Sequence, residues 1–188
     1  MVNDENQGYP STKIEDLDDI HLSEDSEIIA YDSKSEIERI HQALSEALEE
    51  IAEREPEARG YTLLTEKERT LLLEFFTVAT ATIERDSTSL LTHELTQEEL
   101  NHTKSAHDFF KDNFNQQQRE GLLYYAGFVD SGLKGELAKV RKRRNELVHE
   151  QLARRYLEDV DEIMADVDRA LRVIEKLEKQ LDEVMEVI

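Results

Sequence analysis

The sequence predicts an all-α fold, an antiparallel helical bundle of about five to six helices that ends in a long C-terminal amphipathic helix. Three observations carry that expectation. Val160, Ile163, Val167, Ala170, Ile174, Leu177, Leu181, Val184 and Ile188 alternate spacings of three and four without a break, so one apolar seam runs the length of the last helix. Four segments open with a residue pair suited to a capping box, in which a side-chain oxygen and a carboxylate or amide three residues on satisfy free amides: Ser33 with Glu36, Thr65 with Glu68, Thr96 with Glu99, and Asn115 with Gln118. No segment shows the period-two alternation of a strand, and no repeat of about 20 to 50 residues recurs.

Residues 1 to 32 hold ten acidic residues and one lysine with little periodicity, and read as an acidic, disordered N-terminal arm ahead of a helical domain over 33–188. The first helix, about 34–55, sets Ile37, Ile40, Leu44, Leu48 and Ile51 on one stripe and closes at Pro56 and Gly60. The second, about 66–85, carries "LLLEFF", Val78, Ala79 and Ile83 on more than one face, so it is expected to be the most buried. The third, about 97–113, offers Leu100, Phe109 and Phe110 to the core. The fourth, about 116–130, offers Leu122, Leu123, Tyr125 and Phe128 before the break "DSGLKG". A fifth runs over about 133–150. "HEQLARRYLED" then interrupts the register, which predicts a break at 150–157 before the terminal helix.

With 188 residues and 38% hydrophobic side chains the chain can bury one core of ordinary size. It has no cysteine, which excludes disulfides and thiolate zinc sites. His93, His102 and His107 do not form a standard metal spacing, so neither a metal nor another cofactor is expected. No apolar run is long enough to span a bilayer, and the first ten residues lack the pattern of a signal peptide, so no membrane partner and a cytoplasmic location are expected. The net charge is −21, spread through nearly every segment, as in proteins adapted to concentrated salt.

One segment breaks that pattern. Five of the six residues from Lys139 to Arg144 are basic. Between Lys139 and Arg155 seven basic residues face two acidic ones, a local +5 against −26 for the rest. At about 100° per residue, with Leu137 at zero, Arg144 falls at about 340°, inside the stripe formed by Leu137, Val140, Leu147 and Val148. An unpaired guanidinium there would be costly, so Arg144 needs a partner or a wet cleft. Arg141 lies at the stripe's edge, where its stem could carry its charge out to water. Asn145 and His149 stack one turn apart on the flank, and Lys139, Lys142 and Arg143 project to a solvated far side.

"RNELVH", Arg144 to His149, resembles the Arg-x4-His signature of HEPN domains, with a polar residue after the arginine and the motif late in a helical bundle with a helix to follow. The resemblance implies a metal-independent endoribonuclease, often a toxin or defence effector, working as a homodimer whose two signatures line one cleft. On that reading Arg144, Asn145 and His149 are catalytic. Lys139, Arg141, Lys142, Arg143, Arg154 and Arg155 are the candidate contacts to RNA phosphates. RNA is then the substrate, and an antitoxin protein is a candidate partner. A branch of the family has a tyrosine two residues after the histidine. This chain has Gln151 there and Tyr156 further on, so control by tyrosine modification is not carried over. The alternative is a non-catalytic dimerisation or interaction protein of salt-adapted composition, with the terminal seam as its functional surface. A weaker third reading is a helical nucleic-acid binder without cleavage, marked by binding that falls with salt and yields no product.

Overall fold

The computed structural model describes residues 33–54, 62–96, 103–148, 156–157 and 160–185. They fall within one unit, Asp32–Ile188. In chain order the elements are α1 (Ser33–Ala52), β1 (Thr62–Leu63), α2 (Glu66–Leu95), α3 (Lys104–Asn113), α4 (Gln116–Tyr125), α5 (Ser131–Glu146), β2 (Tyr156–Leu157) and α6 (Val160–Met185). The fold is an all-α helical bundle with a long last helix. The acidic arm expected over residues 1 to 32 lies outside the described residues.

Ion pairs between helices give their direction. Arg39 reaches Glu74 and Arg54 reaches Glu68, so α1 and α2 run antiparallel. Arg141 on α5 meets Glu120 on α4, while Lys134 sits over the Tyr124 ring, which sets α4 against α5 in the same way. Arg143 pairs with Asp166 and Glu136 with Lys176, so α5 and α6 are antiparallel as well.

α2 is the central helix and packs on each of the other five. Phe75 and Phe76 are fully buried, edge to face at 5.2 Å, and α1 lays Ile37, Ile40, Leu44, Leu48 and Ile51 against this core. The stripe on α1 and the central place of α2 are as expected. The seam of α6 turns inward within its own chain: Ile163, Val167, Ala170, Ile174 and Leu177 are buried, and α6 packs against α2, α5 and α1.

The capping boxes at Thr65 and Asn115 form. Thr65 Oγ1 accepts from Glu68 N at 3.3 Å while Glu68 Oε2 accepts from Thr65 N at 2.7 Å, and Asn115 and Gln118 exchange the equivalent bonds. The Ser33 side chain and Glu99 lie outside the described residues. Thr96 closes α2, its hydroxyl donating to the Thr92 carbonyl, and Thr103 caps α3; residues 97 to 102, which a capping box at Thr96 would involve, lie outside the described residues.

α2 runs ten residues beyond the end expected at 85, through the polar stretch Asp86–Ser87–Thr88. The hydroxyls of Thr80, Thr88 and Thr92 donate to carbonyls four residues back, so these side chains do not compete with the helix. Leu90 and Leu91 then reward the extension by burial. Two expected core residues point outward, Tyr125 at 82% exposure and Phe109 at 53%. The break between the fifth and last helices is present, with α6 starting at Val160. There Tyr156–Leu157 pairs antiparallel with Thr62–Leu63, tying the α1–α2 and α5–α6 connections together.

Candidate functional site

The basic segment lies along the second half of α5, and its residues separate into two groups. Leu137, Val140 and Leu147 are buried as the helix geometry requires. Arg143 is buried beside them, a correction to the solvated position expected for it. The cause is tertiary. α6 lies along the side of α5 assigned to water and brings carboxylates there, so the buried arc of α5 is wider than its apolar stripe. Arg143 Nε pairs with Asp166, Nη2 donates to Glu162 Oε1 at 2.6 Å, and Nη1 donates to Glu146 Oε2 at 3.3 Å. Arg169 holds the other oxygen of Asp166, and Lys142 Nζ stands 3.4 Å from Glu146.

Arg141 also departs from expectation. Its head does not go to water but to Glu120 of α4, in a two-pronged pair at 3.1 and 3.3 Å. Glu120 is only 2% exposed. Burial pushes its carboxyl above the ordinary value of 4.5, and the hydrogen bond and charge of Arg141 offset only part of that rise. A raised carboxyl favours the folded state most when protonated. Its contribution is whole below the ordinary carboxylate value and is lost as pH rises through the raised one. The stability difference between wild type and Glu120→Gln, measured by urea unfolding, is therefore expected to fall as pH rises from about 4.5. A flat or rising difference would contradict it.

Arg144 is the exception among these arginines. It is half-buried, its Nε is enclosed with no hydrogen-bond acceptor, and its Nη1 donates to Asn145 Oδ1 at 3.3 Å. Among the described residues no carboxylate pairs with it. The same holds for Lys139, which is exposed. At Leu147–Val148 the helix widens from the α pattern into a π-type turn. His149, Arg154 and Arg155 lie outside the described residues, as does the side chain of Tyr156.

A cleft of about 310 Å³ separates α5 from α6. Lys139, Lys142 and Arg143 line it, but so do Glu146, Glu162 and Asp166, with Arg169 a fourth cation. With four cations against three carboxylates, this cleft is nearly balanced in charge. The basic segment is thus partly a set of cross-braces: Arg141 ties α5 to α4, Arg143 ties it to α6, and Arg144 and Lys139 are left over. Glu120 and Asp166 are the site residues that sequence reasoning missed. Asp166 had a signal, since it precedes the seam residue Val167 and follows Ile163 by three, an acid at the margin of an apolar seam.

Among the described residues no group of three or more histidines and carboxylates could hold a metal, and no helix is long and apolar enough to cross a membrane. No family model, no curated protein and no solved structure matches this chain.

Proposed function

We propose that the protein is a HEPN-like, metal-independent endoribonuclease in which Arg144, Asn145 and His149 act on RNA at a cleft shared by two copies of the chain. The observation that carries this reading is the state of Arg144. Arg141 and Arg143 are neutralised by carboxylates, whereas Arg144, in the first place of the Arg-x4-His signature, has no carboxylate partner among the described residues and lies against Asn145. A half-buried cation without a carboxylate is costly to retain and suits a ligand with negative charge.

The chemistry follows from the side chains. The ribose 2′-oxygen attacks the adjacent phosphorus as His149 takes its proton, and the bond to the 5′-oxygen breaks, with that oxygen protonated by a second acid or by water. Arg144 would hold the phosphate oxygens as they gain charge, by paired hydrogen bonds. Asn145, its Oδ1 accepting from Arg144, positions that guanidinium. Because the nucleophile is the 2′-hydroxyl, RNA is cut and DNA is spared. Lys139 adds a solvated charge for the strand. Arg141, Lys142 and Arg143 act chiefly through the fold, since carboxylates already occupy their heads.

The rival reading, a non-catalytic interaction protein, places its surface on the α6 seam. Ile163, Val167, Ala170, Ile174 and Leu177 of that seam are buried within the same chain, and among the described residues no carboxylate pairs with Arg144, which supports the first reading over the rival. The test is RNA cleavage in EDTA. His149→Ala is expected to abolish product while circular dichroism and unfolding stay unchanged, and undiminished cleavage by that variant would remove the reading. Binding without product in the wild type would favour a non-cleaving RNA binder.

A further inference from the structure

A second pocket lies where α2, α3 and α4 converge, and it shares no residue with the site on α5. It encloses about 260 Å³, and its wall includes Glu84, Arg85, Thr88, His107, Lys111 and Arg119. Its base is an ionised side chain that is itself nearly enclosed, Arg119 at 5% exposure. Three of the guanidinium's edges are accounted for unequally. Nε donates to Gln116 Oε1 at 3.2 Å, and Nη1 donates to the carbonyls of Phe110, Lys111 and Phe114 at the C-terminal end of α3. Nη2 makes no hydrogen bond among the described residues. Its nearest acid, Glu84 Oε1, is 3.7 Å away on a side chain that is 47% exposed.

We propose that this pocket binds a phosphate group. The two N–H bonds of Nη2 supply donors already fixed in place, the condition under which a guanidinium recognises phosphate best. His107 and Lys111 stand one turn apart on α3, so both are presented on one face. Lys111 has no carboxylate partner among the described residues. Thr88 adds a hydroxyl, although that hydroxyl already donates to Glu84 O. Arg85 is engaged by Asp86 and contributes its charge at longer range. The C-terminal carbonyls of α3 would otherwise repel an anion, but Nη1 of Arg119 covers three of them. Burial pulls the guanidinium's pKa down, with Glu84 and Glu120 opposing, and a bound anion would add to their support. Glu84 is the one acid on the wall. It is half in solvent and too far for a tight pair, so it can turn outward when an anion enters. With Arg85 set against Asp86, two further cations, Lys111 and Arg119, and a histidine face the single wall carboxylate Glu84 in a chain of net charge −21.

The experiment is calorimetric titration of the full chain at low ionic strength with inorganic phosphate and, separately, with 5′-AMP. Saturable binding is expected. Lys111 is exposed, so Lys111→Ala should fold normally and weaken binding about tenfold. Glu84→Gln should strengthen binding about threefold by removing the like charge, a change of sign that loss of structure would not produce. Binding of phosphate alone identifies a site for the free anion; binding of the nucleotide as well identifies a site for a phosphomonoester. No saturable binding of either, or equal affinity in wild type and both variants, would overturn the proposal.

Discussion

Asp166→Ala is expected to lower the unfolding free energy by about 3–5 kcal/mol. Asp166 is 7% exposed and bonds to two arginines, one oxygen to Arg143 and the other to Arg169. Its removal strands the buried guanidinium of Arg143 with only Glu162 and Glu146, both on the solvent side of the contact, and cuts the brace between α5 and α6. The penalty arises from the charge left behind more than from the bond lost. The double variant Arg143→Met, Asp166→Leu removes both charges and is therefore expected to recover much of the stability. Urea unfolding of the wild type, both single variants and the double variant gives the coupling directly. A loss below about 1 kcal/mol in Asp166→Ala would show that the network is replaceable by water.

Arg144→Ala, one residue along, is expected to act in the opposite way. RNA cleavage should fall by about 10²–10³-fold, the usual loss when one donor to a charge-bearing oxygen is removed. Stability should stay within about 0.5 kcal/mol of wild type, because among the described residues no carboxylate loses a partner and an enclosed Nε without an acceptor is relieved. Arg144→Lys should recover little activity, since an ammonium lacks the planar pair of donors. Single-turnover cleavage together with urea unfolding separates the two arginines: Arg143 through the fold, Arg144 through the rate. Full activity in Arg144→Ala would end the ribonuclease reading, and unfolding in it would make Arg144 a brace like its neighbours.

Particular residues show how far the chain's pattern reaches. The α1 stripe, the α6 seam, the caps at Thr65 and Asn115 and the break before Val160 were legible because each depends on residues within a few positions of one another. The extension of α2 through Asp86–Ser87–Thr88 was not legible, because polarity in isolation reads as a helix end until Leu90 and Leu91 find their burial. Tyr125 and Phe109 look like core in any scale of hydrophobicity and yet point outward, since nothing local tells an aromatic side chain which face a neighbouring helix will cover.

The order of Arg141, Arg143 and Arg144 is the clearest division. Sequence alone determined that a basic segment exists on a late helix, that the helix is amphipathic, and that a long seamed helix follows it. Helical periodicity is a property of adjacent residues, and it fixes which side chains share a face. Only the tertiary structure decided which arginine is buried, because that depends on where Glu120 of α4 and Asp166 of α6 arrive, residues 21 and 23 positions away. A charge can be enclosed only where another element delivers its counter-charge, and no local spacing encodes that meeting.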